Sequence, residues 1–119
     1  MKFSQFHVWI KDYDDEIMVG LSKYIRDNLG TILYIDLPNI GDVFEIESIL
    51  SVVESSKAAI EIPSPVYGEI TAVNEFLKHS PRLLNEDPEG SGFLVKMKLL
   101  SEPDLTSFLN SEDYYLMNA

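Results

Sequence analysis

Twenty acidic and nine basic side chains in 119 residues give a formal charge of −11, so the chain has room for one core and carries a field that disfavours nucleic-acid and anionic membrane partners. It has no cysteine, which excludes disulfides, thiolate metal sites and thiol nucleophiles and leaves any redox work to a borrowed group. A composition of 45 % hydrophobic and 11 % aromatic residues supports a packed core, and with no signal-like or membrane-length apolar run the expectation is a single cytoplasmic domain over residues 1–119.

In chain order, β-branched and aromatic residues predict strands at Phe3–Ile10 and Glu16–Val19. Trp9 with Phe3, Phe6 and Tyr13 is expected to pack in the core, and Asp12, Asp14, Asp15 and Glu16 to form a solvated turn. His7 and His79 lack ligand-type partners at metal spacing, so His7 is expected as a hydrogen-bonded structural residue, His79 at the surface, and no metal site is expected. Between Gly20 and Gly30 the apolar residues Leu21, Tyr24, Ile25 and Leu29 recur at three- and four-residue spacing and predict a short amphipathic helix. Strands are then expected at Thr31–Leu37, Val43–Ile46, Ile49–Val53, Ala58–Ile62, Ile70–Val73 and Phe93–Leu99. Leu37-Pro38-Asn39-Ile40-Gly41-Asp42, Pro63-Ser64-Pro65 and the run from Asn85 through Asp87-Pro88 to Gly92 are expected as loops, with Asn and Asp bonding their own backbone. After Pro103, Leu105, Phe108, Leu109, Tyr115 and Leu116 predict one or two further helical turns. Gly30-Thr31-Ile32-Leu33-Tyr34-Ile35 and Gly68-Glu69-Ile70-Thr71-Ala72-Val73 share a pattern. That echo is either the trace of two matching quasi-halves or a chance likeness between two strands.

Charge singles out one residue. Between Asp27 and Leu77, a stretch of 51 residues, the one basic side chain is Lys57, against nine acids; the chain's own frequency predicts about four. Apolar Ile49-Leu50-Ser51-Val52-Val53 precedes it and Ala58-Ala59-Ile60-Glu61-Ile62 follows, so two strands joined at the polar tip Glu54-Ser55-Ser56-Lys57 are expected. The flanking residues Ser55, Ser56, Ala58 and Ala59 are small and leave the ammonium group accessible to an approaching enzyme. On pattern alone the ordinary alternative is a solvated turn lysine. Partners with basic docking faces suit the acidic surface.

Glu54-Ser55-Ser56-Lys57-Ala58-Ala59 resembles the lipoylation motif of the glycine cleavage system H protein family, and the likeness extends along the chain. His7-Val8-Trp9, Val19-Gly20-Leu21-Ser22, Leu29-Gly30, Leu37-Pro38 and Gly41-Asp42 are similar to the family's signatures in the same order. So are Ser64-Pro65-Val66-Tyr67-Gly68-Glu69-Ile70, Val73-Asn74, Leu84-Asn85-Glu86-Asp87-Pro88 and Gly92-Phe93-Leu94. The resemblance implies a mainly β lipoyl/biotinyl-carrier fold, a barrel-sandwich hybrid of two quasi-symmetric halves with a short helix after the first strands and a C-terminal helical segment. It implies lipoic acid in amide linkage to Lys57, recognition around that lysine by Glu54, Ser55, Ser56 and Ala58, and Glu61 in a cleft for the arm. The implied role is a carrier and not an enzyme. The implied partners are the pyridoxal-phosphate enzyme glycine decarboxylase, an aminomethyltransferase, dihydrolipoamide dehydrogenase and a lipoate ligase or lipoyl/octanoyl transferase.

Three positions depart from the family pattern: Val8 replaces an acid after the histidine, Ser56 a valine before the lysine, and Phe93 a tryptophan after the late glycine. Val8 removes a carboxylate that would attract a cationic aminomethyl group, so lipoyl carriage or donation outside glycine cleavage, or an unmodified interaction module, are the alternatives. A biotin carrier is disfavoured because Ser56 and Ala58, not methionines, flank the lysine.

Overall fold

Short runs of β-branched and apolar residues, broken by turn residues every few positions, dictate many brief antiparallel strands and little helix. The computed structural model describes all 119 residues. Its elements are β1 (Lys2–Phe3), β2 (Val8–Tyr13), β3 (Glu16–Leu21), α1 (Lys23–Leu29), β4 (Ile32–Asp36), β5 (Val43–Phe44), β6 (Ile49–Ser55) and β7 (Ala59–Pro63). These are followed by β8 (Gly68–Val73), α2 (Phe76–His79), α3 (Arg82–Glu86), β9 (Val95–Leu99), β10 (Leu109–Asn110) and α4 (Ser111–Met117). Seven strands form one sheet in the order β10-β1-β2-β3-β9-β8-β5, and β4-β6-β7 form a second.

The inward faces of the two sheets share one core. Val8, Val19, Leu21, Ile70 and Val95 from the larger sheet join Ile32, Ile35, Val53 and Ile62 from the smaller in one cluster of 18 buried residues. This is the mainly β sandwich expected from the sequence. The two echoing segments fall on β4 and β8, one in each sheet.

Several local expectations are corrected. The strand expected at Phe3–Ile10 is two strands, because the chain reverses between Phe3 and Val8 so that Lys2 pairs with Ile10. Ser4 makes the reversal. Its Oγ accepts from the amides of Phe6 and Val8, and His7 takes a φ of +66° without any glycine to signal it. Of the expected aromatic core, Phe3 and Trp9 are buried, whereas Phe6 and Tyr13 are 44 % and 45 % exposed. Phe6 lies in that reversal, and Tyr13 at the end of β2 is covered by the Lys96 ammonium, 3.7 Å from the ring centre.

The first helix begins at Lys23 and not at Gly20, since β3 runs on to Leu21 and Ser22 caps α1 by accepting from the Ile25 amide at 3.1 Å. Gly20 belongs in the strand for a steric reason: a Cβ there would lie 2.5 Å from Cζ2 of Trp9. The strand expected at Val43–Ile46 stops at Phe44, where the Ser48 amide bonds Glu45 O and Glu47 turns with φ +69°. Near the C-terminus, Leu105 to Phe108 form a turn, Leu109–Asn110 add a strand beside β1, and the helix starts only at Ser111 under the Asn110 cap. Of the acidic cluster expected as a turn, only Asp14, at φ +55°, and Asp15 form the exposed β2–β3 turn, while Asp12 ends up in β2 opposite Ile17 and Glu16 begins β3 opposite Tyr13.

A second, smaller cluster seals the edge of the larger sheet. Phe3 stacks on Tyr114 at 4.3 Å, and Trp9 completes the group. The Tyr114 hydroxyl lies 2.6 Å from His7 Nδ1 and 2.7 Å from Ser22 Oγ, so α4 is tied to the cap of α1. His7 is thus the hydrogen-bonded structural residue expected, and burial pushes its pKa below the ordinary histidine value. His79 is exposed on α2.

Candidate functional site

The β6–β7 hairpin carries the isolated lysine. Leu50 and Val53 of β6 and Ile62 of β7 bury their side chains in the core, which fixes the register Val53↔Ile60 and Glu54↔Ala59. What remains between the strands is a tight tip from Ser55 to Ala58. The Ser55 amide donates to Ala58 O at 2.8 Å, while Ser55 Oγ accepts from the amides of Lys57 and Ala58, each at 3.2 Å. A serine side chain thereby satisfies backbone groups that a two-residue reversal would leave to solvent.

The tip is also held from outside. The Ser56 amide donates to Thr31 O at 2.9 Å, tying the tip to the start of β4. Gly30 has φ +74°, and a Cβ on it would lie 2.9 Å from Ser56 Oγ and 3.5 Å from Lys57 Cε, so the lysine stem rests on bare backbone. The segment from Gly30 to Ile32 is in turn clasped by Asn85 of α3. Asn85 Nδ2 donates to Gly30 O at 2.8 Å and its Oδ1 accepts from the Ile32 amide at 2.9 Å. Arg26 Nη1 donates to Asn85 O at 2.6 Å, joining α1 to the same clasp.

Asn85 therefore corrects an expectation. It does not bond its own backbone in a loop; it ends a helix, α3, and bonds a segment more than fifty residues away. Asp87 behaves more nearly as expected, since its carboxylate accepts from the Ser91 amide and hydroxyl, and these bonds hold its pKa below the usual carboxylate value. Pro88 contributes its carbonyl, which accepts from Trp9 Nε1 at 3.0 Å.

Lys57 is exposed, and its ammonium has neither a hydrogen-bond partner nor a carboxylate within ion-pair distance. The two ion pairs, Arg26–Asp27 and Lys78–Glu75, lie elsewhere. A solvent-facing primary amine on a rigid turn is chemically suited to acylation, because no partner must be displaced before it can lose a proton and attack.

The structure brings Glu54, Ser55, Ser56, Lys57 and Ala58 together at this one end of the hairpin. Glu61 lies further along β7, opposite Val52, and is exposed on the outer face of the small sheet with Glu54. Val8 is elsewhere: it pairs with Leu21 in the larger sheet and is fully buried in the core. Phe93 packs against the Trp9 cluster. Gly30, Thr31 and Asn85 support the tip without a local signal of it, since in the sequence Gly30 reads as a helix terminator and Asn85 as a turn former. No helix is long and apolar enough to cross a membrane.

Asn85→Ala removes both halves of the clasp. The expected result is a stability loss of about 1–2 kcal/mol in urea unfolding, the usual effect of orphaning two half-buried backbone groups, with faster hydrogen exchange at the Ser56 amide. Unchanged exchange at Ser56 would show that the tip does not depend on this residue.

The family model described as Glycine cleavage H-protein matches residues 1–118. A glycine cleavage system H protein of Psychromonas ingrahamii is 39 % identical over 120 residues, covering 100 % of this chain and 96 % of that protein. One of Vibrio parahaemolyticus is 39 % identical over 115 residues, covering 96 % of this chain and 91 % of its own length. The fold also matches the crystal structure of a glycine cleavage system H protein from Mycobacterium marinum, with a TM-score of 0.87 at 24 % identity over 98 % of this chain and 94 % of that one.

Proposed function

The chain belongs to the glycine cleavage H-protein family, and from that premise we propose that it is the lipoyl carrier of a glycine cleavage system, with lipoic acid in amide linkage to Lys57. The observation that carries the reading is the unpaired ammonium of Lys57 on a hairpin tip fastened by four hydrogen bonds. In the attachment step the deprotonated amine attacks the carbonyl carbon of an activated acyl group such as an acyl adenylate. The carbon–oxygen bond to the phosphate breaks, AMP leaves with the electron pair, and the nitrogen gives up one proton to solvent and keeps one as the amide N–H.

The attached group supplies the chemistry that the chain lacks: a cyclic disulfide that is reduced as it takes an aminomethyl group from glycine decarboxylase, yields that group to the aminomethyltransferase and is reoxidised by dihydrolipoamide dehydrogenase. The protein supplies reach and a fixed origin. Tethering to the tip holds the arm at high effective concentration beside any docked active site, and the clasp from Asn85 through Thr31 to Ser56 keeps the root of the arm in one place. No side chain of the chain needs to act as a catalyst. Glu54, Ser55, Ser56 and Ala58 form the surface that a lipoate ligase or lipoyl/octanoyl transferase meets around Lys57, and Glu61 is the carboxylate best placed along β7 to receive the arm. The acidic surface suits basic docking faces on these partners, and the chain is assigned to the cytoplasm with them.

Incubation with a lipoate ligase, ATP and lipoate is expected to add one lipoyl mass to the intact protein, and peptide mapping to place it on Lys57. Protein that stays at its unmodified mass overturns the reading in favour of an unmodified interaction module. One observation favours a second reading: Val8, where the family pattern has an acid, is apolar and buried in the core and offers no carboxylate to a cationic aminomethyl group, which suits lipoyl carriage outside glycine cleavage. A lipoylated protein that glycine decarboxylase cannot load would decide for that alternative.

A further inference from the structure

We propose that the outer face of the three-stranded sheet beside the lysine tip, centred on Leu33 and Tyr34, is the docking surface for the enzyme that acylates Lys57, and that this enzyme presents an apolar recess with a basic rim. The inference rests on Lys57 being the acylated residue.

The sequence of β4 alternates poorly, and the structure shows why. The β4–β6 register shifts between Ile32 and Tyr34, so Leu33 is an extra residue without a cross-strand partner. Both Leu33 and Tyr34 face water, at 61 % and 55 % exposure. The neighbours of this pair are set by register: Ile32 pairs with Ser55 and Tyr34 with Glu54, so the apolar pair lies one residue from the tip. β4 is an edge strand of its sheet; α2 and α3 flank that edge, and Asn85 takes up the Ile32 amide, but the Leu33 and Tyr34 side chains stay exposed.

Charge specifies the partner. Tyr34, Glu54 and Ala59 form one cross-strand row, and Asp36, Val52 and Glu61 the next. Three exposed carboxylates thus border the apolar pair; the bases near it are Lys57 at the tip and, across the groove beside Tyr34, Lys78, whose charge is paired with Glu75. An apolar centre with a charged rim is the anatomy of a specific interface, and a rim of one sign selects a partner of the other. Tyr34 also borders a groove of about 290 Å³ that runs between β4 and the first turns of α2 and α3, past Leu77 and Pro81.

Reach specifies which enzyme. A lysine side chain extends only about 6 Å from Cα to Nζ at standard bond lengths, so an enzyme that acylates Nζ must close over the tip and cover the strand residues beside it. Enzymes that act on the finished arm meet its far end and need not touch this face.

The test uses the full chain with lipoate ligase, ATP and lipoate, following the initial rate by intact mass. The Leu33→Ser/Tyr34→Ser double variant is expected to lose about tenfold or more in kcat/KM, mainly through KM, as removal of central apolar contacts does. Leu116→Ser, on the exposed side of α4 against the other sheet, is expected to match the unaltered protein. Acylation of the double variant within about twofold of the unaltered chain overturns the docking surface while leaving attachment at Lys57 standing. Failure of the unaltered chain to be acylated overturns attachment and the docking surface together. Should the double variant melt earlier, Leu33→Ser alone decides, because an unpaired bulge residue can lose its side chain without breaking a strand pair; its rate is expected to fall about threefold, and an unchanged rate overturns the proposal.

Discussion

Lys57→Arg is expected to abolish lipoyl attachment and to bring glycine-dependent turnover in a reconstituted system down to background, without altering the fold. Arginine keeps the positive charge and nearly the length of lysine, yet its guanidinium stays protonated at all accessible pH and is no acyl acceptor. Because Lys57 Nζ makes no hydrogen bond or ion pair in the protein, the substitution breaks no native polar contact. The aliphatic stem that rests on Gly30 is retained. A melting temperature within about two degrees of the unaltered chain, a change of a few tenths of a kcal/mol, together with an unshifted mass after ligase treatment, is the expected pair of results. Turnover that survives in this variant would place the working arm on another residue and overturn the assignment to Lys57.

Trp9→Ala is expected to have the largest effect on stability, about 3–5 kcal/mol, a substantial part of the 5–15 kcal/mol that holds a domain of this size. The indole is fully buried, and Gly20 across the β2–β3 pair has no side chain because the ring occupies that space. Its Nε1 donates to two carbonyls at once, Leu21 O at 2.9 Å and Pro88 O at 3.0 Å. The first ends β3 and the second belongs to the loop after α3, so one side chain joins the larger sheet to the helix that carries Asn85. Alanine leaves a cavity and two carbonyls without that donor. Trp9→Phe separates the contributions: it refills much of the volume but not the hydrogen bonds, and about half the loss is expected to remain. As Trp9 is the only tryptophan, unfolding of both variants is best followed by circular dichroism. A loss under about 1 kcal/mol for the alanine variant would mean that the ring is not the linchpin its contacts imply.

The lysine hairpin could be read in the sequence because its signals are local: two β-branched runs of the right length, a polar tip, and one cation amid acids. What supports the tip could not. The clasp joins Gly30 and Ile32 to Asn85, and Ser56 to Thr31, and neither pairing leaves a periodic trace. α2 and α3 have four and five residues, too few to show a helical repeat beside prolines and polar turn formers. The reversal at Ser4 to His7 was missed for a related reason, since its positive φ falls on histidine and its stabilising bonds come from a serine hydroxyl. Val8 reads from the motif as a missing cleft acid. In the structure it is a core residue, so its apolar character satisfies packing at a position closed to solvent.

The margins of the two sheets have a bearing on how the molecule keeps company with its own copies. The larger sheet ends on both sides in strands of two residues, β10 and β5, while the smaller ends in a strand bulged at Leu33 and another closed by Pro63. An exposed ladder of amides and carbonyls recruits foreign strands only where it is long and flat. None of these borders is both, and mutual repulsion between surfaces of charge −11 adds to the barrier. A molecule assembled almost wholly from short strands thereby offers another copy no long, flat border to extend.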